Sequence, residues 1–298
     1  LKFVFSMTRI SWRNLATVVV ASSPDCFLQW ATETVYDFLQ TEIDRCDFPR
    51  VTVDLSRDDL RSCARRGDDC LGLGSGWEDK PWIFRGLTNN SHLQGDDGLC
   101  GKSSMLQRFG SREVVLSNAV SYSHGRKRTT FQEYVETDMV PPLPVENALG
   151  VGENATETWY LCGENFWDEI LHEYDRPRML GGERGSLAFG IGRTGSGVPL
   201  HYHGAAFLEV THGRKRWFVA RPEVKLDWNP EVSTFKWFFN FVTGSAGSTP
   251  PHISICTQEV GEVLYLPDDW WHATLNVGDT VFFLDFVDAA PKKHRGFT

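Results

Sequence analysis

Gly195-Ser196-Gly197-Val198-Pro199-Leu200-His201-Tyr202-His203, answered far downstream by Asp268-Asp269-Trp270-Trp271-His272, is the stretch that decides the fold. In an extended strand, side chains at i and i+2 leave the same face. His201 and His203 therefore converge on one point, with Tyr202 turned away. His272 lies so much later that it must come from a different strand, brought alongside by folding. A β-barrel builds a metal site in its mouth in this way. The plainer alternative is three unrelated histidines, one in a core and two on a surface. The His-x-His pair set against Trp-Trp-His favours a shared site.

The 298 residues allow one large domain or two small ones, and a β-barrel fills such a length alone. With 41% hydrophobic residues, 11 Trp and 20 Phe, a sizeable core can form. A formal net charge of −9 argues against general affinity for phosphate backbones, so no nucleic-acid partner is expected. A protein or peptide partner, basic ones included, stays open. Cys26, Cys46, Cys63, Cys70 and Cys100 crowd the first third, while Cys162 and Cys256 stand alone. No Cys-x-x-Cys pair occurs, which disfavours a zinc knuckle. Clustered cysteines fit disulfides in an oxidising compartment; dispersed free thiols are the other reading. The sequons Asn89-Asn90-Ser91 and Asn154-Ala155-Thr156 point towards a glycoprotein.

Near the start, Met7, Arg9 and Arg13 precede the apolar run Leu15 to Ala21 and then Ser22-Ser23, which resembles a weak signal peptide. The endoplasmic reticulum lumen or the secretory pathway is the expected location. No apolar run is long enough to span a bilayer, so no integral membrane segment is expected. Residues 1–45 read as leader and helix, with Val35, Phe38, Leu39 and Ile43 at helical spacing. Residues 46–79 read as a loop-rich variable segment, which Cys63 and Cys70 are placed to close. Residues 80–288 form the main domain, with its first strand at Lys80 to Leu87, and 289–298 a tail.

Within that domain, Ser103 to Phe109 predicts a short helix and Glu113 to Leu116 a strand. Thr130 with Glu133 predicts a capping box. Met139 to Gly152, with three prolines, reads as loop, and Asn165 to Tyr174 as a helix covering a sheet. From Leu187 onward, short β-rich runs alternate with turn residues: 187–191, 217–220, 253–256, 263–266 and 281–284. That pattern predicts a mainly β sandwich or jelly roll. The aromatic insertion Leu226 to Gly247 is expected to be core. His124 to Arg128 reads as a short basic turn, and Gly72 to Gly76 as a loop.

Three motifs, in order and spacing, resemble the JmjC family of the cupin superfamily. They are Gly195 to His203, then Gly213-Arg214-Lys215-Arg216-Trp217, and finally Gly261-Glu262-Val263 through Pro267, Trp270-Trp271-His272 and Asn276. The likeness covers about residues 76 to 288, and the phrases around Arg85 to Asn89 and Phe131 to Val135 resemble a small luminal branch of that family. The resemblance implies a double-stranded β-helix with flanking helices. It also implies an Fe(II)- and 2-oxoglutarate-dependent hydroxylase acting on a protein. His201 and His272 match the family's metal ligands, and Lys215 matches the lysine that pairs with the far carboxylate of 2-oxoglutarate. From the residues alone, Gly213 to Arg216 would read as a solvated basic hairpin turn. His203 departs from the family, which carries Asp or Glu there, and a His-His-His triad puts turnover in question.

The wider cupin pattern adds Glu209 as a candidate fourth ligand and places Asn276 beside the cofactor. Three His and one Glu suit Mn(II), Fe(II) or Zn(II). An even spacing from His203 keeps Glu209 on the same face if the strand is unbroken; otherwise it is an exposed or salt-bridged Glu. No Gly-x-Ser-x-Gly elbow supports serine catalysis, and no reader-type module fits beside the barrel for histone demethylation. The rival to the hydroxylase is a catalytically silent JmjC/cupin scaffold or interaction protein.

Overall fold

The computed structural model describes residues 34–40, 43–54, 59, 69, 71–118, 125–140, 143–149, 158–162, 167–177, 184–226, 228–243 and 252–287. The sheet is built from β1 (Arg50–Thr52), β2 (Trp82–Arg85), β3 (Glu113–Asn118), β4 (Arg126–Thr130), β5 (Trp159–Leu161), β6 (Arg184–Gly192), β7 (Ala206–Ala220), β8 (Ser254–Gln258), β9 (Glu262–Leu266) and β10 (Trp271–Val287). Among the described residues the α-helices are α1 (Val35–Leu39), α2 (Lys102–Phe109), α3 (Phe131–Glu133), continued by a π-helix over Tyr134–Met139, α4 (Val145–Ala148), α5 (Asp168–Leu171) and α6 (Thr234–Val242). The strand order is β1-β2-β9-β7-β10-β6-β5-β3-β4, with β8 also beside β7. This is the mainly β, jelly-roll architecture that the sequence predicts.

The frame is the antiparallel ladder of β7 and β10, running from Trp271 opposite Ala220 to Phe286 opposite Ala206. Its register shifts at Val277/Val281 and again at Val281/Phe282. Gly213 and Gly278, both with positive φ, stand at this irregularity. A side chain at Gly213 would have its Cβ 2.2 Å from the Asp279 carbonyl oxygen. The break lets each long strand serve two parts of the barrel.

Alternation then sorts the side chains. Leu208, Val210, Trp217, Val219, Leu264 and Phe282 fill the lumen. On the outer face, Phe218, Ala273, Leu275 and Val277 pack under α1 and α6. Phe189, Ile191, Val281 and Phe283 pack under the opposite helical layer, around Trp167 and Tyr134. Of the aromatic insertion, expected to be core, Phe235 and Phe238 are buried, while Trp228, Trp237, Phe239 and Phe241 are half-buried against them, and residues 227 and 244–247 lie outside the described residues. The insertion also contains α6, capped by Ser233.

The segment before residue 80 belongs to the sheet more than the sequence predicts. β1 pairs in parallel with β2, ahead of the strand expected to be first. Cys46 is disulfide-bonded to Cys256, which therefore does not stand alone. The strap also lends its backbone to β8, through Asp47 N to the Ile255 carbonyl (2.8 Å) and Thr257 N to the Arg45 carbonyl (2.9 Å). Arg50 and Arg85 both reach the buried Glu262 carboxylate. Phe48, between these ties, inserts into the lumen core. Cys63 and Cys70 lie outside the described residues, as do Asn154 and the leader.

Smaller expectations changed in length. The first helix is one turn, closed by a capping box between Thr34 and Asp37. At Thr130 only half the box forms: its hydroxyl accepts from Glu133 N, while the Glu133 carboxylate takes the Thr129 hydroxyl. The proline-rich loop holds α4, the helix expected at Asn165 to Tyr174 is the single turn α5, and the basic turn ending at Arg128 runs as edge strand β4. No helix among the described residues is long and apolar enough to cross a membrane.

Candidate metal centre

The Gly195–His203 segment runs antiparallel to the first half of β10, on the side β7 leaves free. Asn276 N donates to Ser196 O (2.8 Å), Thr274 N to Val198 O (2.9 Å), and His201 and His272 exchange both backbone hydrogen bonds (3.0 and 2.9 Å). Glycine is required for this approach: a Cβ on Gly197 would sit 1.9 Å from the Thr274 carbonyl oxygen. Across the mouth, Asp269 takes a left-handed φ of 62°, a conformation aspartate tolerates, and its N–H donates to His203 O (3.0 Å). The pairing brings His201 directly beside His272, with His203 one alternation further along.

The three imidazoles offer ligand atoms that all lie within 4.8 Å of one another. Each Nδ1 faces a backbone carbonyl: His201 that of Pro199 (2.7 Å), His203 that of Gly204 (2.7 Å) and His272 that of Trp270 (2.9 Å). A carbonyl oxygen can only accept, so each Nδ1 carries the proton and each Nε2 presents a lone pair. The Nε2 atoms of His203 and His272 are 3.1 Å apart, two acceptors facing each other. A cation between them resolves that clash, and carbonyl-anchored Nδ1–H groups are how metal-binding histidines are held.

Burial keeps the rings neutral, which is the state a metal needs. Burial first, and then His203, holds His201 down to about 4. Burial lowers His203, and burial with both neighbouring rings holds His272 well below the ordinary histidine value. The donor set therefore fits one divalent transition metal with three facial nitrogens.

These rings open onto a cavity of about 50 Å³ in the lumen, lined also by Cys162, Lys215, Trp217, Thr274 and Phe282. That is room for roughly four waters at ~10–15 Å³ each. Lys215 is buried in strand β7, not in a solvated hairpin turn, and its neighbour Arg216 is buried too. The Lys215 Nζ donates to Asn276 Oδ1 (2.8 Å) and lies 3.9 Å from the Phe282 ring centroid. Burial depresses its pKa to about 7. Asn276 thus stands beside Lys215 in the wall.

Glu209 goes elsewhere. The chain turns through Gly204 and Ala205 before β7 begins, so parity with His203 is lost. Ala206 and Leu208 face the cavity, while Glu209 points out of the barrel. Its carboxylate takes hydrogen bonds from Thr88 and Asn90 (both 2.8 Å), fastening the turn after β2 onto β7. It is neither exposed nor a ligand. Cys162 and Trp217, named in the sequence only as a lone cysteine and as part of the second motif, line the cavity, and so does Thr274, which alternation from His272 reaches directly.

No family model matches the chain. JmjC domain-containing protein 8 of Mus musculus is 40% identical over 213 residues, covering 70% of this chain and 74% of that protein. The Homo sapiens protein of the same name is 39% identical over 212 residues, covering 70% and 76%. Arginine-specific demethylase JMJ22 of Arabidopsis thaliana is 29% identical over 147 residues, 41% of this chain and 29% of that protein.

Proposed function

The chain belongs to the JmjC family, and from that premise we propose that it is an Fe(II)- and 2-oxoglutarate-dependent hydroxylase of a protein side chain. The observation that carries this reading is the convergence of three neutral imidazoles, each pinned through Nδ1, on a cavity that also holds Lys215. With O₂ as the oxidant, bound Fe(II) and 2-oxoglutarate would supply the hydroxylating chemistry, one oxygen atom of O₂ going to the side chain and the other to succinate, with CO₂ released.

His201, His203 and His272 occupy one face of the site and leave the cavity side open. The carbonyls of Pro199, Gly204 and Trp270 fix the ring planes. Lys215 binds the far carboxylate as a point charge on a flexible stem. Trp217, Leu264 and Phe282 keep water scarce around it, which strengthens that ion pair. With His203 in place of a carboxylate, the protein's ligands bring no negative charge, so the metal charge falls to the co-substrate to balance. Mn(II) and Zn(II) suit the same donors.

The Arabidopsis relative is named for action on arginine, which supports a protein side chain as substrate here. A secretory-pathway location is supported by the Cys46–Cys256 disulfide and by exposed Asn89 and Ser91 in the first sequon. A second reading, a silent scaffold, is favoured by His203 alone.

Succinate release separates the two. The metal-loaded protein with 2-oxoglutarate in air should release succinate, and His272→Ala should stop it. Metal binding without any succinate above the His272→Ala level would leave the scaffold.

A further inference from the structure

We infer that Asn276 and Ser196 form an uncharged positioning relay for Lys215, and that the neutrality of Asn276 makes the cavity select a doubly charged anion. The inference rests on the reading of Lys215 as a carboxylate anchor. It starts from the direction of three hydrogen bonds. Ser196 Oγ donates to the Arg193 carbonyl (2.7 Å), which spends its only proton. Its lone pairs then face Asn276, whose Nδ2 donates to it (3.0 Å). The amide is thereby forced to turn its oxygen towards Lys215 Nζ, at 2.8 Å. Amide orientation is read from such networks, and this one has a single sense.

The relay is enclosed. Ser196 and Asn276 are fully buried and Lys215 nearly so. The neighbouring strand is bare where it passes: a Cβ on Gly192 would stand 2.4 Å from both Asn276 Nδ2 and Ser196 Oγ. Space has been kept for these two groups and nothing larger.

The choice of an amide has an electrostatic consequence. An ammonium group has three donors, and Lys215 has one amide oxygen and the face of Phe282. No carboxylate among the described residues pairs with it. An Asp at 276 would have nearly the same shape and would form a buried ion pair, cancelling the charge. Asn276 aims the amine while leaving its charge for an incoming ligand. Together with a divalent metal held by uncharged imidazoles, the cavity then presents two separate cationic points. A dicarboxylate matches both; a monocarboxylate matches one.

The test uses the full chain, metal-free and Mn(II)-loaded, as the parent and as Asn276→Asp and Ser196→Ala. Probes are 2-oxoglutarate and 2-oxobutyrate, which lacks the far carboxylate, with binding followed by calorimetry. The Lys215 side-chain nitrogen is titrated by NMR in the metal-free forms. Asn276→Asp should raise the Lys215 midpoint and weaken 2-oxoglutarate about 10- to 100-fold, the loss of one charge-assisted hydrogen bond. Binding of 2-oxobutyrate and of Mn(II) should be unchanged. Ser196→Ala, which keeps every charge but frees the amide to turn, should weaken 2-oxoglutarate alone and serves if the Asp variant does not fold.

Equal loss of both probes, or parent-like 2-oxoglutarate binding in the variants, would overturn the relay. A parent that binds Mn(II) but not 2-oxoglutarate would refute the proposed function instead. The Lys215 titration would then still decide: an unchanged midpoint in Asn276→Asp sinks the relay.

Discussion

Acidification should destabilise the metal-free protein through its imidazoles, and His201 sets the scale. Burial, reinforced by His203, lowers its pKa from 6.5 to about 4. Between those values the unfolded chain takes up a proton that the folded chain refuses. Stability from this group is therefore complete above pH 6.5 and drains away as pH falls towards 4. The gap corresponds to about 3 kcal/mol. His201 keeps some contact with solvent at the mouth, so screening reduces the figure to about 2 kcal/mol. His272 is buried and shifted the same way, so it adds to the loss. Glu209 has the opposite sign, because burial raises its pKa, and it must be cancelled out of the comparison. The assay is urea denaturation of metal-free parent and His201→Asn at pH 7 and pH 4, where carboxylate effects are common to both. The parent should lose about 2 kcal/mol more than the variant on acidification. Parallel losses would refute the claim that the fold holds this ring neutral.

Replacing Cys46 and Cys256 with Ser opens a cross-link spanning 210 residues and should lower the unfolding free energy by about 2–5 kcal/mol, read from denaturant midpoints. Glu209→Ala should cost about 2–4 kcal/mol, from its lost bonds to Thr88 and Asn90, yet leave metal affinity unchanged in a titration. Weakened metal binding in that variant would restore Glu209 as a ligand. Gly197→Ala forces a Cβ onto the Thr274 carbonyl, so it should abolish metal binding and cost about 1–3 kcal/mol, with circular dichroism confirming a folded barrel.

Local pattern carried the parts of the site that depend on alternation within one strand. His201 and His203 share a face because they stand at i and i+2, with Tyr202 alone between them, and His272 meets them because its motif starts a strand. Lys215 was legible only through the motif resemblance, since Arg214 to Arg216 by themselves look like a solvated turn. Burial came from the strand continuing through Gly213, whose positive φ absorbs the irregularity. The same kind of break defeated the parity argument for Glu209, where Gly204 and Ala205 turn the chain before β7. The long strands β7 and β10 were visible only as the fragments 217–220 and 281–284, because polar lumen residues such as Thr274 and Asn276 interrupt their apolar pattern. The partner of Cys256 was out of reach for another reason: a strap 210 residues away supplies it, and local spacing holds no trace of such a contact.

The most direct test of the central claim is X-ray absorption of the protein loaded anaerobically with one Fe(II). The account predicts imidazole scattering from three histidine nitrogens, at about 2.0–2.2 Å as usual for nitrogen ligands, falling to two in His203→Ala. A metal shell with fewer than three imidazoles in the parent, or one unchanged in His203→Ala, would contradict it.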